Sequence, residues 1–326
     1  MSSFPVIIVV GPTSSGKSEL AVKLARKFGG EIISADSRQV YKGLNIGSGK
    51  VPRDKLSKNY NLKAKSYQHQ GIPHHLLDVA SPRRQFTVAQ YQKLAVRALE
   101  NIVCRGRLPI ICGGTGFYVS ALCDNLRLPP VPPNSKLRAK LEKLSTAELG
   151  KKLEILDPER LKNIDQMNRL RLIRAIEIAT VLGQVPPLKS KTKGSLWGSR
   201  NDLLNLNYNW LIIGIKLDPK KLREKINTCL ISRLRSGLIQ EVKKLHENEL
   251  SWQRLEALGL EYAHVACYLQ NQTTKKQMIR ELEFAIWHYA KRQMTWWRRD
   301  QTIHWLKNYS EAEQLARGFL KNQVRY

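Results

Sequence analysis

The first third of the chain alternates short apolar runs with segments of helical periodicity. Pro5–Val10 is a run rich in β-branched residues that ends at a glycine, and Glu31–Ala35 and Leu108–Cys112 are two further short apolar runs. Between them, Glu19–Phe28 and Val88–Val103 carry apolar residues at helical spacing. This alternation of strand, helix and strand predicts a parallel sheet with crossover helices.

The pattern changes after this segment. Leu126–Pro133 is rich in proline and is typical of a semi-rigid linker, and the chain from Asn134 to Leu182 has helical periodicity throughout. Val185–Asn201 is predicted to be a basic loop. Trp210–Leu217 has the pattern of a buried strand that returns to the first sheet, and Pro219–Tyr326 is predicted to be helical. The helical block is therefore interpreted as an insertion into an α/β core.

A strong positive charge adds to this picture. The chain has 55 Lys and Arg against 27 Asp and Glu, a net charge of +28. Such a charge indicates a polyanionic partner, most commonly nucleic acid, although a basic surface without a partner is the alternative. No apolar run approaches the roughly 18 residues of a membrane span. The five cysteines are scattered, so we expect no disulfide framework and a cytoplasmic location.

A phosphate-binding motif lies between the first predicted strand and helix. Gly11–Ser18 reads GPTSSGKS, which matches GxxxxGK[ST]. Backbone N–H groups and the helix N-terminus of such a loop bind phosphate oxygens; here Lys17 adds a positive charge and Ser18 a hydroxyl for Mg²⁺. The motif predicts a bound di- or triphosphate without specifying which. The run Leu108–Cys112 ends in two glycines rather than an acid, which disfavours plain NTP hydrolysis.

With this motif in place, we predict an α/β fold. It has a parallel-sheet core like that of P-loop NTPases, with helices on both faces, and an inserted all-helical domain. The expected boundaries are residues 1–125 for the core, 126–200 for the inserted domain with its linkers, and 201–326 for the return strand and C-terminal helices.

Two further clusters follow predicted strands of the core. Asp36–Tyr41 combines a carboxylate, a hydroxyl, a guanidinium and an amide at the end of the second strand, the usual ligand side of an open α/β sheet. Gly113–Tyr118 lets the backbone approach a ligand closely and offers the hydroxyl of Thr115. Taken alone, the first cluster is equally well explained as a polar surface loop.

The motifs, taken in order along the chain, resemble those of one enzyme family. GPTSSGKS, SADSRQVYKGLNIGSGK, IPHHLLDV, GGTGFY, RLRLIRAIE and HYAKRQMTWWRRD are together similar to the tRNA dimethylallyltransferases, or tRNA isopentenyltransferases, of the bacterial type. Members transfer a dimethylallyl group from dimethylallyl diphosphate to N6 of the adenosine 3′-adjacent to the anticodon. The resemblance implies an anticodon stem-loop and dimethylallyl diphosphate as partners and Mg²⁺ as cofactor, and we expect a monomer without an obligate protein partner.

The resemblance also implies roles for individual residues. The catalytic set would be Asp36 as the base, with Lys17 and Thr115, and we add Arg233 because it lies one helical turn from a position where the family leads us to expect arginine. The diphosphate would bind Gly11, Pro12, Thr13, Ser14, Ser15, Gly16, Lys17 and Ser18, with Mg²⁺ at Ser18. The tRNA would contact Asp36, Ser37, Arg38, Gln39, Thr115, Arg138, Leu170, Arg171, Leu172, Ile173, Arg174, Lys291, Arg292, Gln293, Met294, Thr295, Trp296, Trp297 and Arg298.

The chain departs from the family at Thr228-Cys229, where the resemblance leads us to expect a basic residue followed by arginine near the diphosphate. Lys225–Leu238 is predicted to form one helix with a single apolar stripe, and Cys229 lies next to that stripe. Arg233 follows one helical turn later and could reach back. We expect Arg233 to supply the missing charge. The alternative is an intrinsically slow enzyme that Cys229→Arg would accelerate.

Two other functions remain open at this point. An adenylate isopentenyltransferase acts on a free nucleotide and would not need the basic helical block or the large positive charge. An RNA-associated P-loop NTPase or a small-molecule kinase would need a Walker-B acid, which is missing after Leu108–Cys112, or an arginine-rich lid over ATP. The sequence shows neither clearly.

Overall fold

The computed structural model describes residues 3–54, 67–124, 126–187 and 207–323. These form two compact units, one built from residues 3–124 and 207–323 and the other from residues 126–187. Within these ranges, no helix is both long enough and apolar enough to cross a membrane.

A sheet is the centre of the first unit. In the described part of the chain it has seven strands in the order β3-β4-β2-β5-β1-β6-β7. They are β1 (Phe4–Val10), β2 (Gly30–Ser34), β3 (Tyr67–His69), β4 (Ile72–His75), β5 (Leu108–Gly113), β6 (Tyr208–Ile215) and β7 (His304–Leu306). All neighbours are parallel except β3, which is antiparallel to β4. The predicted parallel sheet is confirmed, and β6 returns to it beside β1 as expected.

The helices of the first unit follow the predicted pattern with added breaks. They are α1 (Lys17–Phe28), α2 (Val88–Cys104), α3 (Gly116–Cys123), α8 (Pro219–Arg235), α9 (Leu238–Glu247), α10 (Trp252–Leu258), α11 (Leu260–Leu269), α12 (Lys275–Trp297) and α13 (Tyr309–Gln323). The predicted helix Lys225–Leu238 is wrong at its end, because Gly237 adopts a left-handed conformation (φ +100°) that separates α8 from α9. Leu238 therefore does not continue the stripe of α8.

Both faces of the sheet are covered, as predicted. Successive residues of β1 point to opposite faces, so Val6 and Ile8 join the core against α2 and α3, while Ile7 and Val9 join the core against α1 and α13. These strands are buried on both sides, which explains their continuous apolar runs. The sheet thus holds the carboxyl ends of β1, β2 and β5 at fixed positions.

The second unit is a small helical bundle. The predicted block from Asn134 to Leu182 consists of α4 (Ser135–Leu141), α5 (Thr146–Leu156), α6 (Pro158–Lys162) and α7 (Arg169–Leu182). Side chains cap the N-terminus of each helix: Asn134, Ser145, Asp157 and Asn168. Residues 188–201 of the predicted basic loop and the predicted boundary at residue 200 lie outside the described residues, so that boundary stays a prediction.

Candidate active site

The phosphate loop joins the end of β1 to the start of α1. Ser14 (φ +61°) and Gly16 (φ +91°) are both left-handed, and a glycine at the second position makes that conformation inexpensive. Left-handed residues in a turn help to direct neighbouring N–H groups toward one concavity, which suits an anion. The Ser15 hydroxyl is buried and has no hydrogen-bond partner among the described residues. A ligand oxygen is the kind of group that would satisfy it.

Lys17 extends over this loop. Its Nζ donates to the Pro12 carbonyl at 3.1 Å. Burial lowers the pKa of the Lys17 ammonium, the Asp36 carboxylate opposes that shift, and the Arg233 guanidinium adds to it. Lys17 is therefore within electrostatic reach of a carboxylate and of a second cation. The site brings together three of the four residues that the sequence predicts to be catalytic.

Asp36 follows β2 and organises a tight turn. Its Oδ1 accepts hydrogen bonds from the N–H groups of Arg38 at 2.8 Å and Gln39 at 3.3 Å. The Thr115 hydroxyl accepts from the N–H of Ser37 at 3.0 Å. The structure thus places the fourth predicted catalytic residue, Thr115, beside the Asp36 turn.

Gln39 holds the other side of this turn. Its Oε1 accepts from the Ser34 hydroxyl at 3.0 Å, and its Nε2 donates to the carbonyls of Ser48 at 3.4 Å and Gly49 at 3.2 Å. The predicted tRNA contact at Gln39 is therefore also a link that anchors the Asp36 turn to the following loop. Such anchoring restricts where the Asp36 carboxylate can move.

Arg233 approaches the site from α8. Its Nη1 donates to Glu261 Oε1 at 2.7 Å and to the Gly47 carbonyl at 3.3 Å. Burial raises the pKa of the Glu261 carboxyl, and Arg233 opposes that shift. Sequence reasoning missed Glu261, whose only signal is an acid within the otherwise apolar stretch LGLEY. Cys229, one turn earlier on α8, is half-buried.

The residues present suit Mg²⁺ better than a softer metal. The site offers oxygen donors in the Ser18 hydroxyl and the Asp36 carboxylate, and Mg²⁺ commonly takes one or two protein oxygens together with phosphate oxygens and water. The neighbouring Cys112 has its pKa raised to about 11 by burial, so it stays a neutral thiol. In the described ranges, no group of three or more His, Cys, Asp and Glu could hold a metal by itself.

Gln293 of α12 has a place in the site that differs from its prediction. Its Oε1 accepts from the N–H of Thr13 at 2.8 Å, and its Nε2 donates to the Gly114 carbonyl at 2.9 Å. The side chain is buried. The prediction that this side chain contacts tRNA is therefore corrected, because both ends of its amide are bound to loops of the protein.

The rest of the predicted RNA-binding segment on α12 divides into exposed and buried side chains. Exposed positions are Lys291, Arg292, Thr295, Trp296 and Arg298, and Met294 is half-buried. Trp297 is only 1% exposed and lies in the main core, so its predicted contact with tRNA is wrong. The helical period causes this division, because positions 293 and 297 are four residues apart and share the inward face.

In the second unit, too, some of the predicted RNA-binding residues are buried and others are exposed. Leu172 and Ile173 are buried in the core of the bundle, which contradicts their predicted contact with tRNA, whereas Leu170 is 77% exposed and Arg171 is also exposed. Arg138 and Arg174 both pair with the buried carboxylate of Glu177. Although burial opposes ionisation of Glu177, these arginines and the Asn134 N–H lower its pKa.

Family models and relatives of known name match this chain. A family model described as IPP transferase matches residues 39–300, and one described as isopentenyl transferase matches residues 4–72. A relative named tRNA dimethylallyltransferase 1 from Geotalea uraniireducens is 37% identical over 320 residues, covering 96% of this chain and 97% of its own. One named tRNA dimethylallyltransferase 2 from Treponema denticola is 40% identical over 297 residues, covering 90% and 91%.

A solved structure is similar over almost the full length. The chain matches the crystal structure of the tRNA isopentenylpyrophosphate transferase from Bacillus halodurans with a TM-score of 0.67 and 29% identity. The match covers 98% of this chain and 96% of that one. The similarity therefore extends over both the sheet-containing unit and the helical unit.

Proposed function

The chain belongs to the IPP transferase family of tRNA dimethylallyltransferases, and from this premise we propose how its site works. The enzyme transfers a dimethylallyl group from dimethylallyl diphosphate to N6 of the adenosine 3′-adjacent to the anticodon, and diphosphate leaves. It acts in the cytoplasm as a monomer. The phosphate loop is the donor site, and the Asp36 turn is the acceptor site.

On the donor side, residues 11–18 bind the diphosphate. Negative charge develops on the leaving oxygen as its bond to the allylic carbon breaks, and Lys17 with the loop N–H groups stabilises that charge. Mg²⁺ held at the Ser18 hydroxyl would supply further charge neutralisation when it is bound. Arg233, already within electrostatic reach of Lys17, adds a second cation on this side.

On the acceptor side, Asp36 receives a proton. An exocyclic adenine amine is a weak nucleophile, and its N–H becomes acidic as nitrogen bonds to carbon. A carboxylate held by the turn accepts that proton, while Thr115 fixes the turn through Ser37. The target base must leave the stack of the anticodon loop to reach the pocket, at a cost of a few kcal/mol.

One observation carries this proposal: hydrogen bonds gather the loop of Lys17, the turn of Asp36 and the guanidinium of Arg233 into one site. Prenyl transfer requires cations near the leaving group and a base near the amine, and the three residues supply both. The large positive charge and the exposed basic residues of α12 support tRNA rather than a free nucleotide as the acceptor. A free-nucleotide enzyme has no use for either feature.

The test is a transfer assay with labelled dimethylallyl diphosphate, Mg²⁺ and total tRNA. We expect label in tRNA without added ATP, and no label in adenosine monophosphate. Lys17→Ala should lower the rate by a factor of about 10² or more, because charge stabilisation of the leaving group is lost. Lys23→Ala, on the exposed part of the same helix, is the matched control and should keep the wild-type rate. Dependence on ATP, or labelling of the mononucleotide alone, would contradict the proposal.

A further inference from the structure

Gln293 connects the two substrate loops. We propose that it is a positioning residue through which an RNA bound on α12 and a diphosphate bound in the phosphate loop strengthen each other's binding. The inference rests on the proposed function, since it takes RNA and diphosphate as the ligands of this site. It goes beyond that function by making the two binding events interdependent.

The orientation of the Gln293 amide follows from its partners. The N–H of Thr13 can only donate, so the Gln293 atom that it meets at 2.8 Å must be oxygen. The Gly114 carbonyl can only accept, so the atom at 2.9 Å must be nitrogen. The two loops therefore require a side chain that carries one acceptor and one donor. Glutamate or methionine at this position would lose at least one of the hydrogen bonds to Thr13 and Gly114. The amide therefore has one orientation that satisfies both loops.

Glycine at position 114 permits this close approach. A Cβ at Gly114 would overlap the Gln293 amide nitrogen, and a Cβ at Gly116 would overlap the Trp296 ring. The loop containing Thr115 is thus packed directly against α12 at two neighbouring points. Because Thr115 in turn binds the N–H of Ser37, the position of α12 is transmitted to the acceptor turn as well as to the donor loop.

The exposed neighbours of Gln293 provide the contact with RNA. Lys291 and Arg292 immediately precede it and Trp296 follows on the next turn, all of them exposed on α12. RNA held by these residues restrains the helix, and Gln293 then restrains Thr13 in the phosphate loop. A loop that is already ordered loses less conformational entropy when diphosphate binds, so the second ligand binds more tightly. By thermodynamic linkage, diphosphate must then tighten the binding of RNA by the same factor by which RNA tightens the binding of diphosphate.

The experiment measures this linkage directly on the full chain. Calorimetry gives the dissociation constant of inorganic diphosphate with Mg²⁺, in the absence and in the presence of a saturating anticodon stem-loop RNA. In the wild type we expect the RNA to tighten diphosphate binding by about fivefold or more. In Gln293→Leu, which keeps the bulk but loses both hydrogen bonds, we expect the ratio to fall to about one. Gln277→Leu makes the same change at an exposed site on α12 and should keep the wild-type ratio.

A second variant tests the same linkage by a change in the loop that contains Gly114. Gly114→Ala leaves Gln293 in place but pushes its amide away, so it should also lose the linkage. Thermal melting identifies any variant that fails to fold. The linkage is then judged from the variant that does fold. A ratio of one in the wild type, or an unchanged ratio in a folded Gln293→Leu or Gly114→Ala, overturns the inference. Label transfer to tRNA by the wild type tests the proposed function separately, so the two can fail independently.

Discussion

At the scale of single residues, the site depends on groups whose charges are held by fixed partners. Asp36 is fixed by two backbone N–H donors, and Lys17 is fixed above a carbonyl of its own loop. Arg233 is fixed by the partly buried carboxylate of Glu261. Pre-oriented charges of this kind cost little reorganisation when the reaction occurs, which is why single substitutions here are informative.

Replacing the proposed base tests its charge alone. Asp36→Asn keeps the size of the side chain and an oxygen for the two N–H groups, but it cannot accept the proton. We expect turnover to fall by roughly 10²–10⁴-fold, with the affinity for tRNA changed far less. Single-turnover transfer rates and an RNA-binding titration measure the two quantities. Equal turnover in variant and wild type would remove Asp36 from the role of base.

Substitution of Arg233 tests whether this residue supplies the positive charge that Cys229 lacks. Arg233→Ala removes the cation that interacts with Lys17 and should lower transfer by about 10²-fold, as expected for the loss of one charge-stabilising group. Cys229→Arg should then change the rate of the wild-type chain little. A fully active Arg233→Ala enzyme, or a marked acceleration by Cys229→Arg, would favour the alternative of an intrinsically slow enzyme. Steady-state kinetics of both single variants distinguish the two.

At the scale of elements, polar side chains set the geometry of whole helices. Gln293 fixes α12 against two loops, and Glu241 at the start of α9 accepts hydrogen bonds from the N–H groups of Asn45, Ile46 and Gly47. Glu177 has the same role in α7, where it accepts from Arg138 and Arg174. Because Glu177 is buried and its pKa is lowered, its ionisation contributes to stability as well as to shape.

The Glu177 carboxyl makes the helical unit sensitive to acid. Its pKa is lowered in the folded state, so its contribution is complete above its ordinary value near 4.5 and is lost as pH falls through the lower folded value. Glu177→Gln should lower the free energy of unfolding of this unit by about 2–3 kcal/mol at pH 7. This loss is smaller than that for breaking a fully buried ion pair, because both arginines are partly exposed.

Hydrogen exchange of residues 135–182 measures that cost in the intact chain. The difference between Glu177→Gln and wild type should stay constant above about pH 5 and shrink below it, because acid removes the same charge from the wild type. Glu154→Gln, an exposed acid on α5, is the control and should leave exchange unchanged. A stability difference that persists unchanged to pH 3 would show that the ionised carboxylate is not responsible.

At the scale of the whole molecule, the net charge of +28 governs association with RNA. Binding of an anticodon stem-loop should weaken steeply with salt, because each phosphate contact releases counterions. The double variant Arg292→Ala/Arg298→Ala should reduce the slope of log K against log salt by about 1–2. The variant Lys27→Ala/Arg317→Ala removes two cations from α1 and α13 and should keep the wild-type slope. A flat response in the wild type would point to a free nucleotide as the acceptor.

The sequence alone determined the longer strands and the chemistry of the phosphate loop. The runs Pro5–Val10, Leu108–Cys112 and Trp210–Leu217 are long and apolar because they are buried on both faces, so their strands could be predicted. The phosphate loop could be predicted because its residues are contiguous. The strands β3, β4 and β7 could not, since three or four residues are too few for a periodic signal.

The tertiary structure decided which side chains of a recognised motif face a ligand. Residues 291–298 match one RNA-binding motif, yet Gln293 and Trp297 turn inward because the helix has 3.6 residues per turn and one of its faces packs on the core. Glu261 and Arg233 lie far from residues 11–18 in sequence, and only the folding of α8 and α11 around the sheet brings their charges to the site. Contacts between distant segments depend on the relative positions of whole helices, which no local pattern of residues encodes.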